Sequence, residues 1–125
     1  MNTLRVVFAG TPEFSVPSLR VLIKRSDIEI ARVYTRPDGK KGRGLKLVPS
    51  PVKRLAQSVN LPISEVSSLR DGKEIDEFKK LKPDLLVVVA FGLVLPQTII
   101  EIPKLAINVH ASLLPRWRGA APIQR

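Results

Sequence analysis

The stretch Asp84-Leu-Leu-Val-Val-Val-Ala90 decides the fold of this chain. After its first residue it is apolar at every position, so no polar face alternates with an apolar one. A strand of this kind is typical of a parallel sheet that is covered on both faces. The run is also far too short to span a bilayer. We therefore predict that residues 84–90 form a buried strand of a parallel sheet, and we expect no membrane segment.

Strands and helices alternate along the rest of the chain. Four further stretches are predicted strands, namely Leu4–Gly10, Ile28–Thr35, 62–66 and Leu105–Val109. Four stretches are predicted helices, namely residues 18–25, 51–59, 71–81 and 96–101. This order predicts an α/β fold with right-handed crossovers and a doubly wound, mostly parallel sheet. Residues 36–50, which are rich in proline, glycine and basic side chains, are predicted to form a loop.

The composition narrows the classes of function. The net charge of +10 in 125 residues predicts a polyanionic partner, with nucleic acid first and a phosphorylated small substrate second. A basic surface that serves solubility is the alternative. The chain has no cysteine and one histidine, which excludes disulfides, cysteine nucleophiles and cysteine- or histidine-rich metal sites. We expect no metal and, because no signal peptide follows Met1, a cytoplasmic protein.

Two glycine-bearing segments lack the pattern of a phosphate site. Phe8-Ala-Gly-Thr-Pro-Glu-Phe14 stands where a dinucleotide fold places G-x-G-x-x-G, but Gly10 is its only glycine and Pro12 has no N–H donor. This excludes a nicotinamide or flavin site and leaves a tight turn or a substrate contact as alternatives. In the predicted loop, Gly39 and Gly44 have P-loop spacing, but Leu45 stands where that motif requires lysine.

The same loop is strongly basic, and its candidate nucleic-acid-binding residues are Arg36, Lys40, Lys41, Arg43 and Lys46. Lysine and arginine on a mobile loop contact phosphates and supply salt-dependent affinity with little sequence information. Arg43 lies between two glycines, so it can approach a phosphate closely and contact it with both guanidinium arms. Together with the net charge, the loop predicts a nucleic-acid interface. A solvated surface loop is the alternative.

Asn108 and His110 are the sharpest candidate pair. Residues i and i+2 of a strand point to the same face, so an amide and the single imidazole would share one face at a strand end. Ligands of open α/β sheets bind just beyond such ends. An asparagine amide beside a histidine can polarise a carbonyl oxygen, and the histidine can transfer protons near neutral pH. The alternative is a structural histidine and a turn-capping asparagine.

Phe91-Gly-Leu93 follows the buried strand directly. At such a position it could form an apolar slot with exposed backbone groups that accepts a flat ring. The alternative is that these residues belong to the core.

Several separated motifs resemble one family. Asn108-Val-His-Ala-Ser-Leu-Leu-Pro-Arg-Trp-Arg-Gly-Ala-Ala-Pro-Ile-Gln124 resembles the signature of the folate-dependent formyltransferases. The fuller match is to the branch that acts on initiator methionyl-tRNA in translation initiation. The Phe8 to Phe14 motif, the Arg-Pro-Asp…Gly-Arg-Gly…Pro-Ser-Pro-Val-Lys53 stretch and Phe91-Gly-Leu-Val-Leu-Pro96 resemble the same branch, in the same order. The resemblance covers essentially the whole chain and implies a Rossmann-like formyltransferase fold.

The resemblance implies 10-formyltetrahydrofolate as the formyl donor and the α-amine of initiator methionyl-tRNA as the acceptor. It implies that Asn108 and His110 are catalytic and that the loop around Arg43 contacts tRNA. The folate site that it implies is lined by Ser112, Leu113, Leu114 and Pro115, with the backbone of Phe91, Gly92 and Leu93 near the pterin ring. In such a reaction the unprotonated amine attacks the formyl carbon, Asn108 and His110 donate to the resulting oxyanion, and a proton passes to the leaving N10.

The resemblance also implies parts that lie beyond Arg125. These are a catalytic aspartate that would orient His110, the rest of the catalytic domain and a C-terminal β-barrel domain. Residues 1–125 would then be the N-terminal part of the catalytic domain, incomplete at its C-terminus. We expect the full-length enzyme to be a monomer and the 125-residue chain alone to lack formyl transfer. Two alternatives stay open: a formyltransferase for glycinamide ribonucleotide or a sugar amine, and a non-catalytic nucleic-acid-binding α/β fragment.

Overall fold

The computed structural model describes residues 3–41, 46–109 and 120–122. Within these residues, six strands form the main sheet. Their spatial order is β5 (Ile63–Glu65), β2 (Ile28–Thr35), β1 (Leu4–Gly10), β6 (Leu85–Val89), β7 (Leu105–Val109) and β8 (Ala120–Pro122). Neighbouring strands are parallel except β8, which is antiparallel to β7. The predicted doubly wound, mostly parallel sheet is confirmed, and its strand order reverses between β1 and β6.

Helices cover both faces of this sheet. On one face, α1 (Val16–Lys24) and α2 (Pro51–Ser58) pack through residues such as Leu19 and Val52. On the other face, α3 (Gly72–Lys80) and α4 (Gln97–Ile100) pack through residues such as Phe78 and Ile99. Successive residues in the range 6–9 of β1 and in Leu85–Val89 of β6 belong alternately to the two cores, which is why these runs are apolar at every position. No helix in the described ranges is long and apolar enough to cross a membrane.

A bulge in β2 changes the side-chain alternation of that strand. Val6 pairs with Ile30, but Val7 pairs with Arg32, so Ala31 is the extra residue. An extra residue moves the following side chains to the opposite face. Ile30 and Val33 therefore both contact the α1/α2 core, although they are three residues apart.

The helix starts follow from local capping. The Ser50 hydroxyl accepts the N–H of Lys53 at 3.0 Å at the start of α2, and an Asp71 carboxylate oxygen accepts the N–H of Lys73 at 2.9 Å at the start of α3. These starts agree with the predicted ones. The first helix begins at Val16, two residues earlier than predicted, after a single 3-10 turn over Glu13–Ser15.

Two segments differ from the sequence-based prediction. Residues 36–50 are not a plain loop, because β3 (Gly39–Lys41) and β4 (Lys46–Val48) pair as an antiparallel hairpin. Among the described residues, these three-residue strands pair only with each other, so neither needs the apolar alternation of a core strand. The strand β8 was also not predicted: it is a short edge strand that ends in Pro122, and its pairing with β7 is a tertiary contact with no local sequence signal.

Gly10 is required where β1 meets β6. A Cβ atom on Gly10 would lie 2.8 Å from the Val89 carbonyl oxygen and 2.9 Å from both the Phe8 ring and Ser15 Cβ. Gly72, at the start of α3, has no atom within 4 Å of the corresponding position. The two glycines therefore differ in steric room.

We expect Gly10→Ala to lower the free energy of unfolding by about 1–3 kcal/mol, because overpacking forces the two strands apart. Gly72→Ala is the matched control and should leave stability unchanged or raise it, since alanine favours a helix over glycine. Urea unfolding followed by circular dichroism measures both variants. Equal stability of the two variants would contradict the close contact between Gly10 and β6.

Candidate active site at the carboxyl ends of the strands

The strand order reverses between β1 and β6, and in an open α/β sheet a ligand crevice is expected beyond the carboxyl ends of such a pair. Two segments meet here: residues 10–15, which form the turn after β1, and residues 90–93, which follow β6. The motifs that contain Gly10 and Phe91 in the sequence are therefore neighbours in the structure.

Hydroxyl groups of the first turn bind the second segment. Thr11 Oγ1 donates to the Phe91 carbonyl oxygen at 2.9 Å and accepts the N–H of Arg36 at 3.3 Å. The buried Ser15 hydroxyl donates to the carbonyl oxygen of Val89. Thr11 thus links the ends of β1, β2 and β6. Neither hydroxyl was singled out in the sequence, because the carbonyl groups to which they donate are more than 70 residues away.

The segment 90–93 has an unusual backbone. Ala90 and Gly92 have positive φ values of 50° and 86°. The ring of Phe91 is buried in the α3/α4 core, and its carbonyl oxygen is bound by Thr11. Gly92 is exposed, and the Arg36 side chain runs beside it, 3.0 Å from where a Cβ would lie. Among the described residues, none makes a backbone hydrogen bond to Gly92 or Leu93, which leaves their polar groups available to a ligand.

Asn108 lies near the carboxyl end of β7, where it pairs with Val88 of β6. Its side chain is partly exposed and shares a sheet face with the buried Ala106. The predicted partners His110, Ser112, Leu113, Leu114 and Pro115 lie outside the described residues, as does Arg43. The joint geometry of Asn108 and His110 stays a prediction.

A cleft of about 490 Å³ opens beside the crevice, between the first turn and the base of the hairpin. Its lining includes Thr11, Arg36, Asp38, Ser50 and Ser67. The start of α2 faces it but offers no anion site, because Pro51 has no N–H and the next two are taken by Thr11 O and Ser50 Oγ. A larger hollow of about 730 Å³ lies at the opposite, amino-terminal edge of the sheet, away from the ligand-binding edge of such folds.

An ion-pair network fixes the base of the hairpin. Lys53 Nζ lies 3.0 Å from both carboxylate oxygens of Asp38 and 2.5 Å from an oxygen of Glu65. Hydrogen bonds to Glu65, which has the larger effect, and to Asp38 raise the pKa of Lys53. The hydrogen bond from Lys53 in turn lowers the pKa of Asp38. Of the predicted basic residues, Arg36 is exposed at the crevice, while Lys40, Lys41 and Lys46 lie in the two hairpin strands. No sequence pattern predicts this network, since its members lie on separate elements of the chain.

Comparison with known proteins identifies the family. Residues 4–125 match the formyl transferase family. The chain belongs to this family. No group of three or more His, Cys, Asp or Glu side chains that could hold a metal occurs in the described part of the chain.

The similar sequences are methionyl-tRNA formyltransferases by name. The chain is 56% identical over 125 residues to that of Ectopseudomonas mendocina (strain ymp), covering 99% of the chain and 40% of that protein. It is 55% identical over 124 residues to that of Geobacter sulfurreducens, covering 98% of the chain and 39% of that protein. The chain therefore spans about two fifths of the length of these curated relatives.

Solved structures share the fold at low identity. A phosphoribosylglycinamide formyltransferase from Anaplasma phagocytophilum has a TM-score of 0.57 and 24% identity, with 94% of this chain and 54% of that chain covered. Glycinamide ribonucleotide transformylase 1 from Geobacillus kaustophilus has a TM-score of 0.60 and 19% identity, with 95% and 63% covered. At these identities the likeness shows the fold alone.

The Lys53 network predicts a specific change in titration. Because the folded pKa of Asp38 lies below its unfolded value, Asp38 stabilises the fold above the unfolded pKa and loses this effect as the pH falls through the folded one. We expect Lys53→Met to raise the Asp38 pKa to its ordinary value or above, measured by ¹³C NMR of the carboxyl carbon. Asp84 is the internal control. Its pKa is lowered mainly by the hydrogen bond from the Arg5 N–H, so it should not change in Lys53→Met. An Asp38 pKa that stays low without Lys53 would contradict the network.

Proposed function

We propose that the full-length protein transfers a formyl group from 10-formyltetrahydrofolate to the α-amine of initiator methionyl-tRNA in translation initiation. Residues 1–125 would form the N-terminal part of its catalytic domain. The observation that carries this proposal is the identity of 55–58% to proteins named methionyl-tRNA formyltransferase, over 98–99% of the chain. The similar structures named for glycinamide ribonucleotide or sugar substrates are only 14–24% identical.

The charge of the chain supports a nucleic-acid acceptor. A net charge of +10 favours a polyanion, and a nucleic acid carries many more phosphates than a phosphorylated small substrate. The base of the basic hairpin lies at the cleft beside the crevice, through Asp38 and Gly39. A tRNA bound along the hairpin would thus bring its aminoacyl end towards the carboxyl ends of the strands. This placement makes Arg36, Lys40, Lys41, Arg43 and Lys46 the proposed phosphate contacts.

The residues after β6 fit the folate that this reaction needs as its formyl carrier. A pterin ring is flat and carries donors and acceptors along its edge. Gly92 is exposed and Leu93 is partly exposed, and no described residue makes a backbone hydrogen bond to either. Gly92 also presents no side chain to obstruct a ring. We propose that the backbone polar groups of these two residues hold the ring edge, with Ser112, Leu113, Leu114 and Pro115 completing the site.

Asn108 and His110 supply the proposed chemistry of the protein itself. As the amine attacks the formyl carbon, negative charge develops on the formyl oxygen. The Asn108 amide would donate a hydrogen bond to that oxygen, and this stabilises the transition state more than the ground state. His110 would donate alongside it and carry the proton from the attacking nitrogen to the leaving nitrogen.

We expect Asn108→Ala in the full-length protein to lower kcat for formyl transfer by about two to three orders of magnitude, as loss of one oxyanion donor does. His110→Ala should have an effect of the same order, while folate affinity changes little. Gln57→Ala, which removes an exposed amide on α2, is the control and should keep the wild-type rate. A wild-type kcat for Asn108→Ala would refute its catalytic role.

The same assay separates the alternative functions. Methionyl initiator tRNA, glycinamide ribonucleotide and an amino sugar nucleotide are offered in turn with 10-formyltetrahydrofolate. Transfer to the tRNA alone supports the proposal, and transfer to another acceptor assigns the protein to that branch of the family. Nucleic-acid binding without transfer to any acceptor would indicate the non-catalytic alternative.

A tRNA role for the hairpin predicts a change in salt dependence. We expect Arg43→Ala to weaken tRNA binding and to reduce the slope of log K against log salt by roughly one unit, because one phosphate contact is lost. Folate affinity should not change. Arg20→Ala removes an exposed arginine from α1 and serves as the charge-matched control. An unchanged slope for Arg43→Ala would contradict a tRNA contact and favour the alternative that the hairpin is a solvated surface.

A further inference from the structure

We infer that Thr11 is a positioning residue: its side-chain hydroxyl holds the backbone of residues 90–93 in the shape that binds the ligand. The inference rests on two hydrogen bonds of Thr11 Oγ1, to the Phe91 carbonyl and from the Arg36 N–H. The identity of the ligand as a folate rests on the proposed function. The positioning role itself is a property of the protein alone.

The backbone around Ala90 needs support. A non-glycine residue at a φ of 50° adopts the left-handed conformation, which L-amino acids disfavour. Such a residue persists where the surrounding structure holds it. The carbonyls that flank it are held by the first turn, since Ser15 donates to Val89 O and Thr11 donates to Phe91 O.

The two hydroxyls have different surroundings. Ser15 is fully buried and lies between Gly10 and α1, so its bond belongs to the packing of β1 against β6. Thr11 is partly exposed at the cleft, and its partner is the carbonyl that immediately precedes Gly92. The Thr11 bond therefore acts on the part of the segment that faces the crevice.

Arg36 belongs to the same hydrogen-bonded arrangement. Its N–H donates to the hydroxyl of Thr11, and its side chain lies beside Gly92. The Thr11 hydroxyl therefore links Arg36, which precedes the basic hairpin, to the backbone that leads into Gly92 and Leu93. This gives the Gly-Thr-Pro motif a role beyond that of a tight turn.

The test compares Thr11→Val, which keeps the shape and removes the hydroxyl, with Thr11→Ser, which keeps the hydroxyl. Thr98→Val removes an exposed hydroxyl from α4 and is the matched control. All are made in the full-length protein, and 5-formyltetrahydrofolate is the probe in calorimetry. We expect Thr11→Val to raise the Kd for 5-formyltetrahydrofolate about two- to tenfold, as loss of a hydrogen bond of this kind does. Thr11→Ser and Thr98→Val should remain within about twofold of wild type.

A second measurement is independent of any ligand. Backbone ¹⁵N relaxation in the unliganded protein should give lower order parameters at Gly92 and Leu93 in Thr11→Val, falling from about 0.85 towards 0.6. Thr11→Ser should restore them. Unchanged order parameters and an unchanged Kd in Thr11→Val would overturn the inference, and so would equal losses in Thr11→Val and Thr11→Ser. If wild type binds no folate, the proposed function fails, and the order parameters still decide the role of Thr11.

Discussion

The contact between the carboxyl ends of β1 and β6 is the constraint on which the rest of this structure depends. Gly10 lies so close to the Val89 carbonyl that no side chain fits between the strands. This approach brings the hydroxyls of the following turn within reach of the carbonyls at the end of β6. The strand order also reverses at this pair: β2 and β5 follow on the β1 side of the sheet, and β7 and β8 follow on the β6 side. The topology predicts a ligand crevice at that point.

The hairpin is joined to this frame by charge and by a buried hydroxyl pair. Lys53 on α2 binds Asp38, which precedes the hairpin, and Glu65 at the end of β5. In addition, the buried side chains of Thr35, at the end of β2, and Ser50, at the start of α2, form a hydrogen bond with 2.8 Å between Oγ1 and Oγ. These side chains are mostly shielded from solvent, so salt screens the Lys53 network less than it screens exposed cations. The base of the hairpin should therefore keep its place over salt concentrations that weaken phosphate contacts.

The sheet could be predicted from sequence because burial on both faces leaves a continuous apolar run, as in Leu85–Val89. The hairpin and β8 could not, since three-residue strands stabilised by a single neighbour need no such pattern. The bulge at Ala31 likewise appears only in the pairing of β2 with β1. At the site, the alternative that Phe91 belongs to the core is confirmed for its side chain, because the ring is buried, while the ligand-binding role of Phe91-Gly-Leu93 stays a prediction. Thr11 was missed because its bond spans 80 residues, and no spacing rule reports a contact of that kind.

The choice of acceptor cannot follow from the shared sheet. Structures with TM-scores of 0.53–0.60 to this chain are named for glycinamide ribonucleotide and sugar substrates, so the shared fold by itself does not identify an acceptor. On the proposed function, the frame supplies what these reactions have in common, a backbone-lined crevice for the formyl carrier and a polar group at the end of β7. Discrimination must then come from segments outside the sheet that contact the acceptor away from the reacting atoms. The basic hairpin meets this requirement, because it adjoins the crevice without lying in it and is held there by Lys53.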